Sequence, residues 1–407
     1  MKEYHKTLCF DFISEDYYQD CISNPDKFKS HLNQLNQKYP ELFPKDFSFG
    51  WKLNGFTRVS KKKGGLIMRR IKIKSDSEVY QVRPSFMMPY NIGKTEEIAK
   101  GLDMYQSGSS FESVARIQGK SAMFWYNAYC SLGRNSIIST TIKNSSKLPK
   151  HLAADEKHTK CCGQKVYIAT TVANGCILGA AVSESAGDKG LLSAYSEFMD
   201  EAWQINPDYY PESVNTDGWK ATKNAWKEFC ELTVLVLCFL HSALKIQNLS
   251  KKISQQKELM NKVWDCYKAK SFTILSQRLR RLNEWALKEN LPERIITKLE
   301  EFTEKKRNFK PGIEIDKAHR TSNMVDRLMN FQDKALYSAK NLHSLTSARM
   351  FVRSMALIWN FHPYCKKVKR HSPFEDLNGF VYHQNWLQNM MIATSCGFNQ
   401  HFSNTIM

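Results

Sequence analysis

The chain has 407 residues, 42% of them hydrophobic, and its 59 Lys and Arg against 40 Asp and Glu give a formal net charge of +19. That length and apolar content exclude a disordered or fibrous chain and allow two or three domains around at least one large core. So strong a positive field points to a polyanionic partner, nucleic acid first.

No apolar run approaches the roughly 20 residues that cross a bilayer, and the opening "MKEYHKTLCF" has no signal-peptide core, so a cytoplasmic location is expected. The eleven cysteines are odd in number and scattered, apart from the adjacent Cys161 and Cys162, which favours reduced thiols. The spacing nearest to a zinc site, Cys238-x-x-His241, lacks a second ligand pair.

Residues 1–60 are polar and aromatic, and predict a mainly helical region whose clearest amphipathic piece is "DKFKSHLNQLNQKYPELF". Over 61–94, Ile71 and Ile73, then Val79, Tyr80 and Val82, flank the polar turn Ser75-Asp76-Ser77 and predict a β-hairpin. Its basic rim, Lys61, Lys62, Lys63, Arg69, Arg70, Lys72 and Lys74, suits a phosphate backbone or, equally simply, a solvated charged face. Residues 95–135 break into three helical pieces. Phe111, Val114, Ala115 and Ile117 give an apolar face, Gly119 a turn and Ser121 an N-cap, the layout of a helix-turn-helix. Lys120, Tyr126 and Asn127, early in the second helix, are its candidate DNA contacts. Three-helix units of this kind also serve protein contacts.

After the Ser-, Thr- and Lys-rich "SIISTTIKNSSKLPK", expected to be a linker, the texture turns to alternating strands and helices. "HLAADEKH" starts a strand, and "KVYIATTVANGCILGAAVSE" is two β-rich runs split by Asn-Gly, a hairpin signal. A helix, the strand "ESVNTDG", a second helix and the apolar "LTVLVLCFLH" follow, the last expected to be a buried parallel strand. An antiparallel hairpin followed by strand, helix and strand predicts an α/β fold with a ribonuclease H-like mixed sheet. Asp155 near the first strand's apolar start and Asp217 at the end of a later one would then be neighbours. Paired carboxylates repel unless they hold cations, and hard Mg²⁺ ions suit carboxylates, water and phosphate oxygens. Two such ions about 4 Å apart serve displacement at phosphorus.

The ordered set "DEKH", "NTDGWKATKNAWKEF", "LVLCFLH" and "RTSNMVDRLMNF", with the helix-turn-helix upstream, resembles the catalytic core of bacterial insertion-sequence DDE transposases, of the broad group that includes Mutator-like and hAT-like elements. The resemblance covers residues 153 to 364 and implies Asp155 and Asp217 as the first two metal-binding acids, Cys238 and His241 as the Cys-x-x-His motif with His241 facing phosphate, and a third acid on a late helix. Asp326 stands where that group has glutamate, and Glu314 is the second candidate. The core is then 150–241 and 311–364, and 242–310 is an all-helical insertion in which Lys251, Lys252, Arg278, Arg280 and Arg281 are candidate phosphate contacts, with Trp264 and Trp285 as core residues or base-stacking ones. Lys220 and Lys223 after Asp217, and Arg320, Arg327 and Arg349 further on, are further candidates; the tail 365–407 carries no reading. The resemblance also implies two Mg²⁺ or Mn²⁺ ions, double-stranded DNA as transposon ends and target, and a homodimer or higher homo-oligomer in the bacterial cytoplasm at the nucleoid. A metal-dependent nuclease without strand transfer and a domesticated DNA-binding regulator are the alternatives.

Overall fold

A computed structural model of the chain describes residues 6–57, 66–75, 77–89, 93–339, 342–363 and 371–396, with the side chain of Asp326 outside the description. Lys61, Lys62 and Lys63 lie outside the described residues. The fold is mixed α/β with two mixed sheets.

The first sheet comes from the N-terminal third. β1 (Thr7–Phe10) is followed by α1 (Glu15–Ser23), α2 (Pro25–Lys38), β2 (Trp51–Phe56), β3 (Arg69–Ile73) and β4 (Val79–Pro84). The order is β1-β4-β3-β2, with β1 parallel to β4 and the remaining pairs antiparallel. The expected hairpin is β3–β4, but it sits inside a sheet completed by two strands from the region expected to be helical. Arg69 is correspondingly not a phosphate contact: it is buried, donates to the Ile22 carbonyl and lies over the rings of Phe28 and Phe56. Arg70 is exposed.

Three helices follow, α3 (Thr95–Gln106), α4 (Phe111–Gln118) and α5 (Ala122–Ser131). Ser121 caps α5 as expected, its hydroxyl accepting the Phe124 amide at 3.1 Å. Gly101 lets α5 close on α3, because a Cβ there would sit 2.2 Å from the Trp125 ring. Lys120 and Asn127 are exposed, whereas Tyr126 is not available to a groove: its ring stacks on Phe351 at 6.2 Å and meets Phe111 edge-on at 5.7 Å. Ile117, expected on the apolar face, is 61% exposed.

The second sheet contains β5 (His151–Cys161), β6 (Gln164–Ala173), β7 (Cys176–Ser183), β8 (Ser213–Thr216) and β9 (Val234–Leu237), in the order β7-β6-β5-β8-β9. The first three are antiparallel neighbours, and β5, β8 and β9 run parallel. Asn174 and Gly175, at φ 52° and 79°, make the tight β6–β7 turn, which needs positive φ at both positions. α7 (Asp188–Ile205) and α8 (Lys220–Phe229) cover one face, packing on Leu152, Ala154 and Leu178. The other face, with Ala153, Ile168 and Val182, packs on α15 (Asn323–Ala339) and α16 (Leu345–Phe361). The apolar run expected to be a buried strand yields only the four-residue edge strand β9. Helices α9 (Phe239–Leu249), α10 (Gln256–Tyr267), α11 (Phe272–Lys288) and α12 (Glu293–Glu304) build a separate apolar cluster after it, and the short α13 (Lys306–Phe309) and α14 (Pro311–Glu314) return against β9.

The expected linker is ordered: it holds the short α6 (Ile137–Thr141) and meets a buried ionic network. Arg353 of α16, 1% exposed, donates to the Gly133 and Asn135 carbonyls and to Glu201 of α7, with Glu197 at 3.3 Å. Glu201 also accepts the Ser136 hydroxyl at 2.7 Å and the Ile138 amide at 2.9 Å. The C-terminal stretch is likewise integrated. α17 (Pro373–Asn378) contacts α16, α18 (Trp386–Ala393) packs on β1 and α3, and the Ser395 hydroxyl bonds both backbone groups of Cys9. Among the described residues no helix is long and apolar enough to cross a membrane.

Removing one member of a buried charged network strands the others. Arg353→Met is therefore expected to lower unfolding stability by about 3–5 kcal/mol, read from urea denaturation midpoints. A variant as stable as wild type would contradict the role given to Arg353.

Candidate active site

The parallel pairing of β5 and β8 ends at Ala153↔Asn215, so the carboxyl end of β8 lies beside the middle of β5. Asp155 follows the apolar start of the eleven-residue β5, paired to Thr170 of β6, and Asp217 is the first residue beyond β8. Asp155 is 8% exposed; its Oδ1 accepts the Glu156 amide at 2.8 Å, and its Oδ2 lies 3.7 Å from His241 Nε2. Asp217 Oδ1 accepts the Trp219 amide at 2.7 Å, ahead of the N-terminus of α8, where unpaired amides favour a negative charge. Between them Gly218, at φ 93°, permits a close approach: a Cβ there would fall 2.5 Å from Leu237 Cδ1.

Glu156 is a third acid at this place. Alternation along β5 sends it to the opposite face from Asp155, where it accepts the Tyr195 hydroxyl at 2.7 Å and the Thr222 hydroxyl at 2.5 Å. Its carboxyl is pushed up to about 7, chiefly by burial and in part by the charges of Asp155 and Asp217, against the downward pull of the two hydroxyls. Both aspartates thus act on one carboxyl, Asp155 from β5 and Asp217 from just beyond β8. The sequence signal for Glu156 was an acid directly after Asp155 at the end of the apolar run Leu152-Ala153-Ala154.

His241 is in the first turn of α9, with Nδ1 3.3 Å from the Ser322 hydroxyl, so it faces Asp155 and Ser322. Cys238 is buried and its sulfur takes the Ser322 amide at 3.2 Å. Burial opposes ionisation of this thiol, but hydrogen bonds to His241 and Ser322 outweigh it and hold the thiol below its ordinary range. Ser322 immediately precedes α15, and further along that helix Gln332 donates to Thr170 at 3.1 Å and Asp333 pairs with Lys157 at 2.6 Å. Asp326 is on α15 between these anchors. Glu314 pairs with Lys310 at 3.4 Å. No group of three His, Cys, Asp or Glu side chains able to hold a metal forms among the described residues.

A cavity of about 520 Å³ opens beside Asp217 and Trp219, between the sheet and the helical insertion. Lys223 lines it from α8, and Lys245, Lys298 and Lys305 from the insertion. The last three were not singled out in the sequence, because only the packing of α9 and α12 near the strand ends turns them toward Asp217. Of the other candidate phosphate contacts, Lys220, Lys251, Lys252, Arg281 and Arg327 are exposed, and Arg280 pairs with Glu284 at 3.3 Å. Arg278 donates to the Asp265 carbonyl. Arg320 is not a free contact: its guanidinium lies 4.7 Å from the Tyr267 ring centre and donates to the Ala269 carbonyl. Arg349 acts electrostatically on Glu197 beside Arg353. Trp264 and Trp285 pack against the insertion core, as expected.

Neither a scan against protein-family models nor a search of curated proteins finds a match to this chain.

The raised pKa of Glu156 sets a pH dependence of folding. Between the unfolded carboxyl value of about 4.3 and the folded value of about 7, the unfolded chain ionises this group while the folded chain keeps it protonated, so stability falls as pH rises through that window. Glu156→Gln is expected to gain about 3 kcal/mol relative to wild type between pH 4.5 and 7.5 in metal-free urea titrations. A difference constant with pH would contradict the assignment.

Proposed function

We propose that the chain is a DNA transposase that cuts and joins phosphodiesters at the ends of a mobile element through a carboxylate site. The observation that carries this reading is the parallel β5–β8 pairing, which brings Asp217, just beyond β8, alongside Asp155 of β5, with Asp217 lining a cavity that Lys223, Lys245, Lys298 and Lys305 also line. Ligands of open α/β sheets gather outside the carboxyl ends of parallel strands, where Asp217 stands. Support also comes from the strand order β7-β6-β5-β8-β9, which suits a ribonuclease H-like core, and from the turn between α4 and α5, which suits a helix-turn-helix.

The donor set is of carboxylate oxygens, with the Cys238 thiol engaged by Ser322, and so fits hard divalent cations. Asp155 and Asp217, with Asp326 from α15 as third acid, would hold two Mg²⁺ or Mn²⁺ ions. When bound, such a pair supplies charge stabilisation for the attacking and leaving oxygens of an in-line displacement.

The chain's own residues do the rest. His241 orients Asp155, and Ser322 fixes the imidazole while anchoring the start of α15. The Trp219 amide holds Asp217 Oδ1, and Asp217 lines the cavity. Lys223, Lys245, Lys298 and Lys305 supply positive charge for DNA phosphates, and the exposed Arg70, Lys120 and Asn127 extend the surface for double-stranded DNA. Water attacks the phosphodiester at the element end and frees a 3′-hydroxyl, which attacks target DNA in a second displacement. Pairing two ends calls for a homodimer or higher homo-oligomer.

The test uses DNA carrying the sequences that flank the gene, where the reading expects terminal inverted repeats. With Mg²⁺, wild type is expected to cleave at the repeat ends and join them to target, and Asp217→Asn to lose about 10³-fold in rate, roughly 4 kcal/mol of barrier, while still shifting the DNA in a gel. Asp326→Asn is expected to fail likewise and Glu314→Gln to stay active. Undiminished cleavage by Asp217→Asn would overturn the proposal, and cleavage without joining would reduce it to a nuclease.

Each phosphate contact removed lowers the slope of log affinity against log salt by about 0.9. The double variant Lys298→Ala, Lys305→Ala is expected to flatten that slope by nearly two units in salt titrations of end binding. An unchanged slope would remove both lysines from the DNA path.

A further inference from the structure

The β5–β6 turn carries an adjacent pair of cysteines that has no part in the proposed chemistry. Cys161 ends β5, Cys162 follows at φ 51°, and Gly163 completes the turn at φ 77°. Their sulfurs lie 4.0 Å apart, with Cys162 exposed and Cys161 buried behind it. The turn is bonded to the connection between α15 and α16: the Cys162 amide donates to the Leu342 carbonyl at 2.8 Å, and the Cys162 thiol to the His343 carbonyl at 3.0 Å. Most of the other described cysteines are buried.

Sequence adjacency fixes the two Cα atoms about 3.8 Å apart, below the 4.4–6.8 Å span of ordinary disulfides. Direct S–S closure therefore distorts the turn. A single soft atom bonded to both sulfurs at about 2.3 Å, as in metal thiolates, spans about 3.5–4 Å for bond angles of 100–120°. The observed 4.0 Å lies at the upper end of that span, so a bridge at about 100° needs the sulfurs to close by only about 0.5 Å.

We propose that Cys161 and Cys162 form a dithiol site for trivalent arsenicals, soft thiophilic compounds that bind two thiolates at once. With phenylarsine oxide, two As–S bonds form as the arsenic–oxygen bond breaks; both thiol protons leave with that oxygen as one water, and arsenic stays trivalent. The exposed Cys162 attacks first, giving up its bond to the His343 carbonyl, and the neighbouring Cys161 closes the ring. The site is independent of the proposed nucleic-acid chemistry.

The test is native and denaturing mass spectrometry of the full chain treated with phenylarsine oxide in excess 2-mercaptoethanol, where only a dithiol adduct survives. Wild type is expected to keep one phenylarsenic group, with loss of two free thiols, and to release it to dimercaptopropanol. Cys162→Ser and Cys161→Ser are expected to keep none, and Cys230→Ser to keep one. Circular dichroism verifies that Cys162→Ser, altered at an exposed position, stays folded. No adduct on wild type, or an adduct that persists in Cys162→Ser, would overturn the site.

Discussion

Everything at the candidate site depends on three backbone pairs, His151↔Ser213, Leu152↔Val214 and Ala153↔Asn215, which set β8 parallel to β5. With that register Asp217 leaves β8 beside Asp155, although a hairpin, a long helix and a turn separate them in sequence. A slip of one residue would exchange the faces of every β5 side chain and send Asp155 toward α7, where Glu156 now meets Tyr195. The register is held by what lies on each face: Leu152 and Ala154 against α7 and α8, Ala153 in the core shared with α15 and α16.

Concentrating Asp155, Glu156 and Asp217 at one place is electrostatically costly, and the surroundings show how the cost is met. Glu156 is held by two hydroxyls with its carboxyl pushed up to about 7, so near neutrality it is partly protonated, which relieves the repulsion. Asp155 has His241 at 3.7 Å, and Asp217 has the Trp219 amide and a lysine-lined cavity. The helices that cover the sheet are tied to the N-terminal third by the Arg353–Glu201 network and by α18 on β1, so the basic N-terminal surface and the carboxylate end belong to one packed body.

Much of this was legible in the sequence where local rules govern. The Asn-Gly turn of β6–β7, the Ser121 cap of α5 and the β3–β4 hairpin follow from residue types at fixed offsets. Long-range features were not legible. Arg69 reads as a rim charge because nothing local says that the Ile22 carbonyl and two aromatic rings will cover it. Tyr126 and Arg320 fail for the same reason, their partners Phe351 and Tyr267 lying far along the chain. The Ser- and Lys-rich stretch before β5 looks like a linker until Glu201 arrives to bind Ser136 and Ile138. The two aspartates were placed from motif order, and their juxtaposition rests on the β5–β8 pairing, whereas Lys245, Lys298 and Lys305 of the cavity needed the folded insertion.

The central claim is that Asp155 and Asp217 act as one unit, and a double-mutant cycle measures this directly. Residues that share one catalytic site give strongly non-additive losses. Cleavage rates of element-end DNA are compared for Asp155→Asn, Asp217→Asn and the double variant, with DNA binding verified for each. The account predicts that the double variant loses no more than either single one; losses that multiply would contradict a shared site.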